Sequence, residues 1–319
     1  MNNSSKLYKD LILNARKEKN IITREATKEL MKIYKNMSKD VIKRLETNKG
    51  GFTQAYLKDY SKYLNYRLDI LSNDVNNLIG SSIEDISLLA ATIEGDFVNY
   101  LNGKYSLDVP KDILNQFYSI PQDVLLDSLS GKMYKDNKAL SERIWGYKNK
   151  NYKDMQFIIN EGIVGNKSYA EIIKDLSIYV NPTSKRPYDF SKIYPKINKN
   201  VCYNSLRLLR TQMNHIFQES MLRKIKNNPY IQLVRWNLSE EHEYRQVKRF
   251  GEDECDDYAN SDTTGRGKGL FYKKDVPVAH PNCLCYQTYE LEKSLEDIGK
   301  ELNNMSDNQL KQLFQEWNS

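Results

Sequence analysis

The sequence predicts a mainly α-helical protein in which an N-terminal long-helix bundle precedes a small α+β C-terminal domain. Three observations predict it. Through most of residues 1–130, apolar side chains recur at three- and four-residue steps, the signature of one buried helix face. One run, Ile231-Gln232-Leu233-Val234-Arg235-Trp236, is rich in β-formers and follows the turn signal Asn227-Asn228-Pro229. The stretch Trp236 to Tyr286 then gathers most of the chain's few cysteines and histidines: His242, Cys255, His280, Cys283 and Cys285.

Taken in order, residues 1–130 read as helix after helix. Leu30, Ile33, Tyr34, Met37, Val41 and Leu45 form one stripe, which Asn48-Lys49-Gly50-Gly51 stops. Leu57, Tyr60, Leu64, Leu68, Leu71, Val75 and Leu78 form a second, expected to end at Gly80. Ser81 and Glu84 then suggest a capping box for a third helix carrying Ile83, Ile86, Leu89, Ile93 and Phe97, ending near Asn102-Gly103. Long helices on short polar loops suit antiparallel packing, and such stripes serve either a self-contained core or a docking face. Residues 131–195 read as a helical connector of shorter pieces. Pro110 and Pro121 open short helices before it. Within it, a segment from Ser141 to near Tyr147 precedes one from Asp154 to Ile163, broken at Gly165; Ser168 caps the next, to Ile178. Asn181–Lys196, rich in Pro, Ser and Lys, reads as a hinge. Residues 196–290 begin with one long helix, Asn198 to Ile225, whose stripe of Cys202, Leu206, Leu209, Met213 and Phe217 places Cys202 in the core. Residues 291–319 close the chain as an acidic helix, with helical character expected from Tyr289.

Composition narrows the class. With 39% hydrophobic and 28% charged residues the 319-residue chain suits a soluble globular protein with a sizeable core. No apolar run approaches a membrane span, and Met1 to Lys9 lacks the apolar stretch of a signal peptide. A net charge of +6 permits contact with nucleic acid without requiring it. Lysine is abundant in residues 1–50, but it is spread around the helix and no aromatics interleave to stack on bases.

The chemistry concentrates in His280-Pro281-Asn282-Cys283-Leu284-Cys285. Thiolate and imidazole are the ligands zinc prefers in a tetrahedral shell. This loop can supply His280, Cys283 and Cys285, and Cys255 can close the site from upstream. Four protein ligands leave no open position, so the expected ion is a structural Zn2+, and the small domain is expected to be zinc-stapled. His242 is a spare, either an alternate ligand or a hydrogen-bonding partner of the shell. Asp253, Glu254, Asp256 and Asp257 flank Cys255 as solvated charges, outer partners of the imidazoles, or acids beside a metal-bound water. Gly265, Gly267 and Gly269 lack the spacing of a phosphate loop and read as a flexible hairpin or loop. Neither a nucleobase-deaminase signature nor an H-E-x-x-H or nucleophile–histidine–acid order is present, so no catalytic residue is expected and the chain reads as a non-enzyme.

These residues resemble a family. Trp236-Asn237-Leu238-Ser239, His242, Asp253-Glu254-Cys255-Asp256, Tyr258-Ala259, the glycines with Tyr272, Pro277 and the H-P-N-C-x-C loop look like the C-terminal domain of phage minor head proteins, the Mu protein F-like head morphogenesis family. Leu209-Arg210-Thr211-Gln212 is similar to the R-T-E segment preceding that domain, with Gln212 where Glu is usual. Glu243 to Glu252 looks like an insertion. The resemblance covers residues 140–290 and implies a virion protein: a minor capsid component that associates with a portal protein and with capsid or scaffold proteins at the portal vertex during procapsid assembly. It further implies residence in the head interior or portal vertex after assembly in the host cytoplasm, ejection with DNA in some members, and non-specific DNA contact. The competing expectation is a zinc-dependent nuclease or an ADP-ribosyltransferase-like effector, whose zinc would keep a water.

Overall fold

Two long helices open the computed structural model, which describes residues 3–185 and 190–319. Helix α1 spans Asn3–Glu46 and α2 spans Gln54–Tyr105, separated at the predicted Asn48–Gly51 stop, where Gly51 takes φ 68°. Shorter helices follow: α3 (Lys111–Phe117), α4 (Gln122–Ser130), α5 (Leu140–Val164), α6 (Tyr169–Val180), α7 (Phe190–Ile193) and α8 (Tyr203–Lys224). Strand β1 (Ile231–Asn237) leads into a π-helical turn (Glu243–Val247), α9 (Lys248–Phe250), α10 (Glu254–Asn260), β2 (Leu270–Tyr272), β3 (Tyr286–Leu291), α11 (Leu295–Asn303) and α12 (Asp307–Asn318). The protein is mainly α with a small α+β region, as the sequence predicts. Part of the expected hinge, residues 186–189, lies outside the described residues.

Three sequence expectations are corrected. Gly80 does not end a helix; α2 runs through it. A helix-interior glycine costs about 1 kcal/mol relative to alanine, but buried Ile79 and Ile83 carry the apolar stripe across the break. Ser81 bonds back to the Leu78 carbonyl at 3.2 Å and caps nothing. Likewise α5 is continuous where two segments were expected, because buried Lys148, Asn151 and Met155 extend one face through the polar middle. Finally, Tyr286–Leu291 is strand, not the start of the terminal helix: its β-branched and aromatic residues pair with β1. A Cβ on Gly80 would meet nothing within 4 Å. Gly80→Ala is therefore expected to stabilise the protein by about 1 kcal/mol, read as a higher thermal midpoint; a lower one would mean the helix needs its flexibility there.

The chain divides into two compact units, each assembled from separated segments. One comprises residues 24–81 and 128–209. Its core joins Leu30, Tyr34, Met37, Val41 and Leu45 to Tyr60, Leu64, Leu68, Leu71 and Val75, so these stripes are buried within the chain and not left as docking faces. Arg67 pairs with Asp40, and Lys148 reaches Asp69 at 2.5 Å. Cys202 is buried here, as expected of a core residue.

The other unit comprises residues 1–23, 82–127 and 210–319, and holds every candidate metal ligand. Its sheet runs β2-β1-β3 with both pairings antiparallel, and Arg235 pairs with Leu270 on one side and Thr288 on the other. Gly269 turns the chain into β2 with φ 72°, and a Cβ there would lie 3.0 Å from the Ala259 carbonyl oxygen. Only glycine fits this approach, which lets Trp236 N–H donate to Gly269 O at 2.8 Å. An aromatic cluster closes the far side, with Phe117 edge-on to Phe314 and Trp317.

Candidate metal centre

Three short elements bring the ligands together. His242 follows the end of β1, where its N–H bonds to Ser239 O at 2.9 Å. Cys255 sits in the first turn of α10, whose Asp253 side chain accepts from Cys255 N at 2.9 Å. Asp256 reciprocates by accepting from Asp253 N at 2.8 Å, a capping box that fixes the turn carrying the thiol. The loop before β3 carries His280, Cys283 and Cys285; Asn282 takes φ 65°, a conformation asparagine tolerates, and Cys283 N–H bonds to His280 O at 3.2 Å.

The predicted residues converge. Cys255 Sγ lies 3.4 Å from Cys283 Sγ. All three thiols are free and buried. The ligand atoms of Cys255, His280 and Cys283 lie within 4.8 Å of one another. Cys285 Sγ is 3.6 Å from His242 Nδ1, and Cys285 N–H donates to Cys283 Sγ at 3.2 Å. Zinc–thiolate bonds of about 2.3 Å in a tetrahedron put sulfurs about 3.8 Å apart, close to the Cys255–Cys283 separation; the group whose ligand atoms all lie within 4.8 Å of one another is Cys255, His280 and Cys283, with Cys285 outside it and against His242. Trp236, Phe271 and Ala279 wall the sulfurs from water.

Both histidines carry a carboxylate behind them. His242 Nε2 is 2.9 Å from Asp256 Oδ2, the arrangement in which a ligating imidazole turns its other nitrogen to an acid. His280 Nε2 lies 3.0 Å from Asp253 Oδ2 but makes no hydrogen bond of acceptable geometry, and its Nδ1 is 3.1 Å from Pro281 O. The expected ligand His280 lies with Cys255 and Cys283, and the expected spare His242 lies against Cys285. Residues 243–252 loop out through the π-helical turn and α9, and His242 packs against α10.

The titration pattern is that of a shared cluster. Hydrogen bonds from Cys255 and then Cys283 favour the Cys285 thiolate and hold it far below the ordinary thiol range. Cys255, hydrogen-bonded to Cys283 and Cys285 and buried, is held far above it. One thiolate among three neighbours forms readily and the others resist, because each added negative charge meets the last. A cation removes that conflict. Burial disfavours the His242 imidazolium, but the Asp256 hydrogen bond and the Cys285 charge outweigh it and raise its pKa.

Of the floor of this site, sequence reasoning singled out only Thr211 and Gln212, through the resemblance, and missed the rest. The α8 residues Thr211, Gln212, Asn214, His215 and Gln218 are all buried. Thr211 Oγ1 accepts from Asn282 N at 3.0 Å, and Gln218 Nε2 donates to Cys285 O at 3.0 Å. A loop buried without secondary structure needs such partners for its backbone. The signal was a polar stripe at helical spacing, Thr211, Asn214 or His215, then Gln218, beside an apolar one. No family model, curated protein or solved structure matches the chain.

Proposed function

We propose that this chain is a minor capsid protein of a tailed phage or prophage, acting in head morphogenesis at the portal vertex, with a C-terminal module stapled by one structural zinc ion. One observation carries the reading: of the residues on which the family resemblance rests, Cys255, His280 and Cys283 have ligand atoms within 4.8 Å of one another, and Cys285 lies beside them, 3.6 Å from His242. Such convergence is what a closed thiolate–imidazole site requires, and a closed site is structural. When bound, zinc would be held by the three thiolates and one imidazole, and would supply cross-linking, not a reactive water. Asp253 and Asp256 would orient the two imidazoles. Among the described residues no helix is long and apolar enough to cross a membrane. The portal protein, capsid or scaffold proteins and packaged DNA are the proposed partners.

The test is twofold. Reduced, freshly purified protein should contain about one zinc per chain by elemental analysis, as one closed site demands, and should capture its portal protein on co-expression. Metal without portal capture would remove the assembly role and keep the staple. Zinc-dependent nicking of plasmid DNA, lost in His242→Ala, would favour the nuclease reading, because His242 pairs with Asp256 while facing the Cys285 sulfur.

A further inference from the structure

We propose that the groove between helices α2 and α5 binds single-stranded nucleic acid, its exposed lysines holding phosphates and its two exposed aromatic rings stacking on bases. The groove lies within the unit that lacks the metal-centre cysteines, and its assignment depends on neither the zinc nor the portal reading.

The run Trp145-Gly146-Tyr147-Lys148-Asn149-Lys150-Asn151-Tyr152-Lys153 interleaves aromatic residues with lysines and holds no acid. Part of it faces α2. The Tyr152 hydroxyl and Ser61 Oγ lie 2.5 Å apart, and buried Lys148 pairs with Asp69 at 2.5 Å. Asp69 lies further along α2 than Ser61, and its partner Lys148 comes earlier in α5 than Tyr152. The two helices therefore run antiparallel, and these four residues form the floor between them. With about 3.6 residues per turn, side chains four apart climb slowly round a helix. On α2, Lys58, Lys62 and Tyr66 climb outward from the side marked by Ser61 and Asp69. On α5, Trp145, Asn149 and Lys153 climb outward from the side marked by Lys148 and Tyr152. All six are exposed and line the two walls of the groove. The antiparallel register gathers the three lysines toward one end and sets Trp145 toward the other.

Rings and charge together identify the occupant. Tyr66 is 60% exposed and Trp145 54%. The Lys148 ammonium lies 4.2 Å from the centre of the Trp145 ring and holds the indole over the groove. The acids nearby are already taken, Asp69 by Lys148 and Asp154 by Lys150 at 2.6 Å. Among the described residues no carboxylate pairs with Lys58, Lys62 or Lys153. Unpaired cations beside open aromatic rings match a polyanion that carries rings of its own. A duplex keeps its bases stacked inside, and an acidic peptide would meet the lysines alone.

Trp145 is also the probe. It is the one exposed tryptophan of three, Trp236 and Trp317 being 3% and 1% exposed. Titrating the full-length protein with an oligothymidylate of about 15 nucleotides should quench the emission of Trp145. Anisotropy of the labelled strand should give an affinity that falls against log salt with a slope of about −2, three phosphate contacts at about −0.7 each. Trp145→Ala should weaken binding about fivefold to a hundredfold, the scale of losing one stacked base. Lys62→Gln together with Lys153→Gln should bring the slope to about −0.7, one contact remaining. The substituted side chains are exposed, so the variants should keep the wild-type thermal midpoint. No binding of the oligonucleotide at low salt overturns the proposal. So does Trp145→Ala that binds as wild type, or a glutamate-rich peptide that displaces the strand at matched charge, since either means that charge alone is read.

Discussion

Cys283→Ser is expected to abolish the proposed zinc binding and to unfold the segment between β1 and β3 while most helices persist. A structural zinc contributes on the order of 10 kcal/mol to a small domain, and little else holds this one. Its apolar core is Trp236, Phe271 and Ala279 with the three cysteines, and β2 is only three residues long. Limited proteolysis should cut the variant between Asn237 and Tyr286, and a chelator should produce the same cuts in wild type. If no ion belongs here, the exchange replaces one small buried group by another and costs about 1–3 kcal/mol for an unsatisfied hydroxyl, leaving the proteolytic pattern unchanged. Cys202→Ser is the control: that thiol lies in the other unit, 3.8 Å from Met31 Sδ, and should affect neither metal content nor cleavage.

The convergence of these cysteines and histidines was legible because zinc chemistry favours two residue types, and both are scarce in this chain. The helices were legible because their stripes have a fixed period. What failed was punctuation. Gly80 looks like a stop when only local propensity is weighed, but Ile79 and Ile83 are buried on either side, and their burial outweighs a glycine's cost. Tyr289 looked helical beside the acidic C-terminal segment; it is strand because β1 offers a partner, a fact lying outside its own neighbourhood. The support of the metal loop was hidden for the same reason. Gln218 shows its role only once the chain folds it against the Cys285 carbonyl, to which it donates. Glu94 is the clearest instance: nothing in its local sequence separates it from a surface glutamate, yet its partners come from four distant segments.

Stability is expected to fall as pH rises through the range governed by Glu94. This carboxyl is fully buried and accepts from Asn228 Nδ2 at 2.9 Å and Trp317 Nε1 at 2.5 Å, with the Tyr8 hydroxyl on its other oxygen. Burial raises its pKa from an ordinary 4.5 to about 7, against the pull of those hydrogen bonds and of Lys224 and Lys273. Below pH 4.5 the group is protonated whether the chain is folded or not, so it adds no pH dependence. Between 4.5 and 7 the unfolded chain gives up a proton that the folded chain keeps, and stability drops with each step in pH; above 7 the loss is complete, at about 3 kcal/mol. Glu94→Gln imitates the protonated acid: its amide oxygen can accept from Asn228 and Trp317 while its NH2 donates to the Tyr8 oxygen. Urea unfolding should therefore show the variant close to wild type at pH 4.5 and more stable at pH 8, the gap opening across that interval. Glu94→Ala should instead lose about 3 kcal/mol or more at either pH, because it strands three buried donors at once. A gap between wild type and Glu94→Gln that stays constant with pH would mean that the carboxylate remains charged inside the fold, held by Lys224 and Lys273 more firmly than burial opposes it.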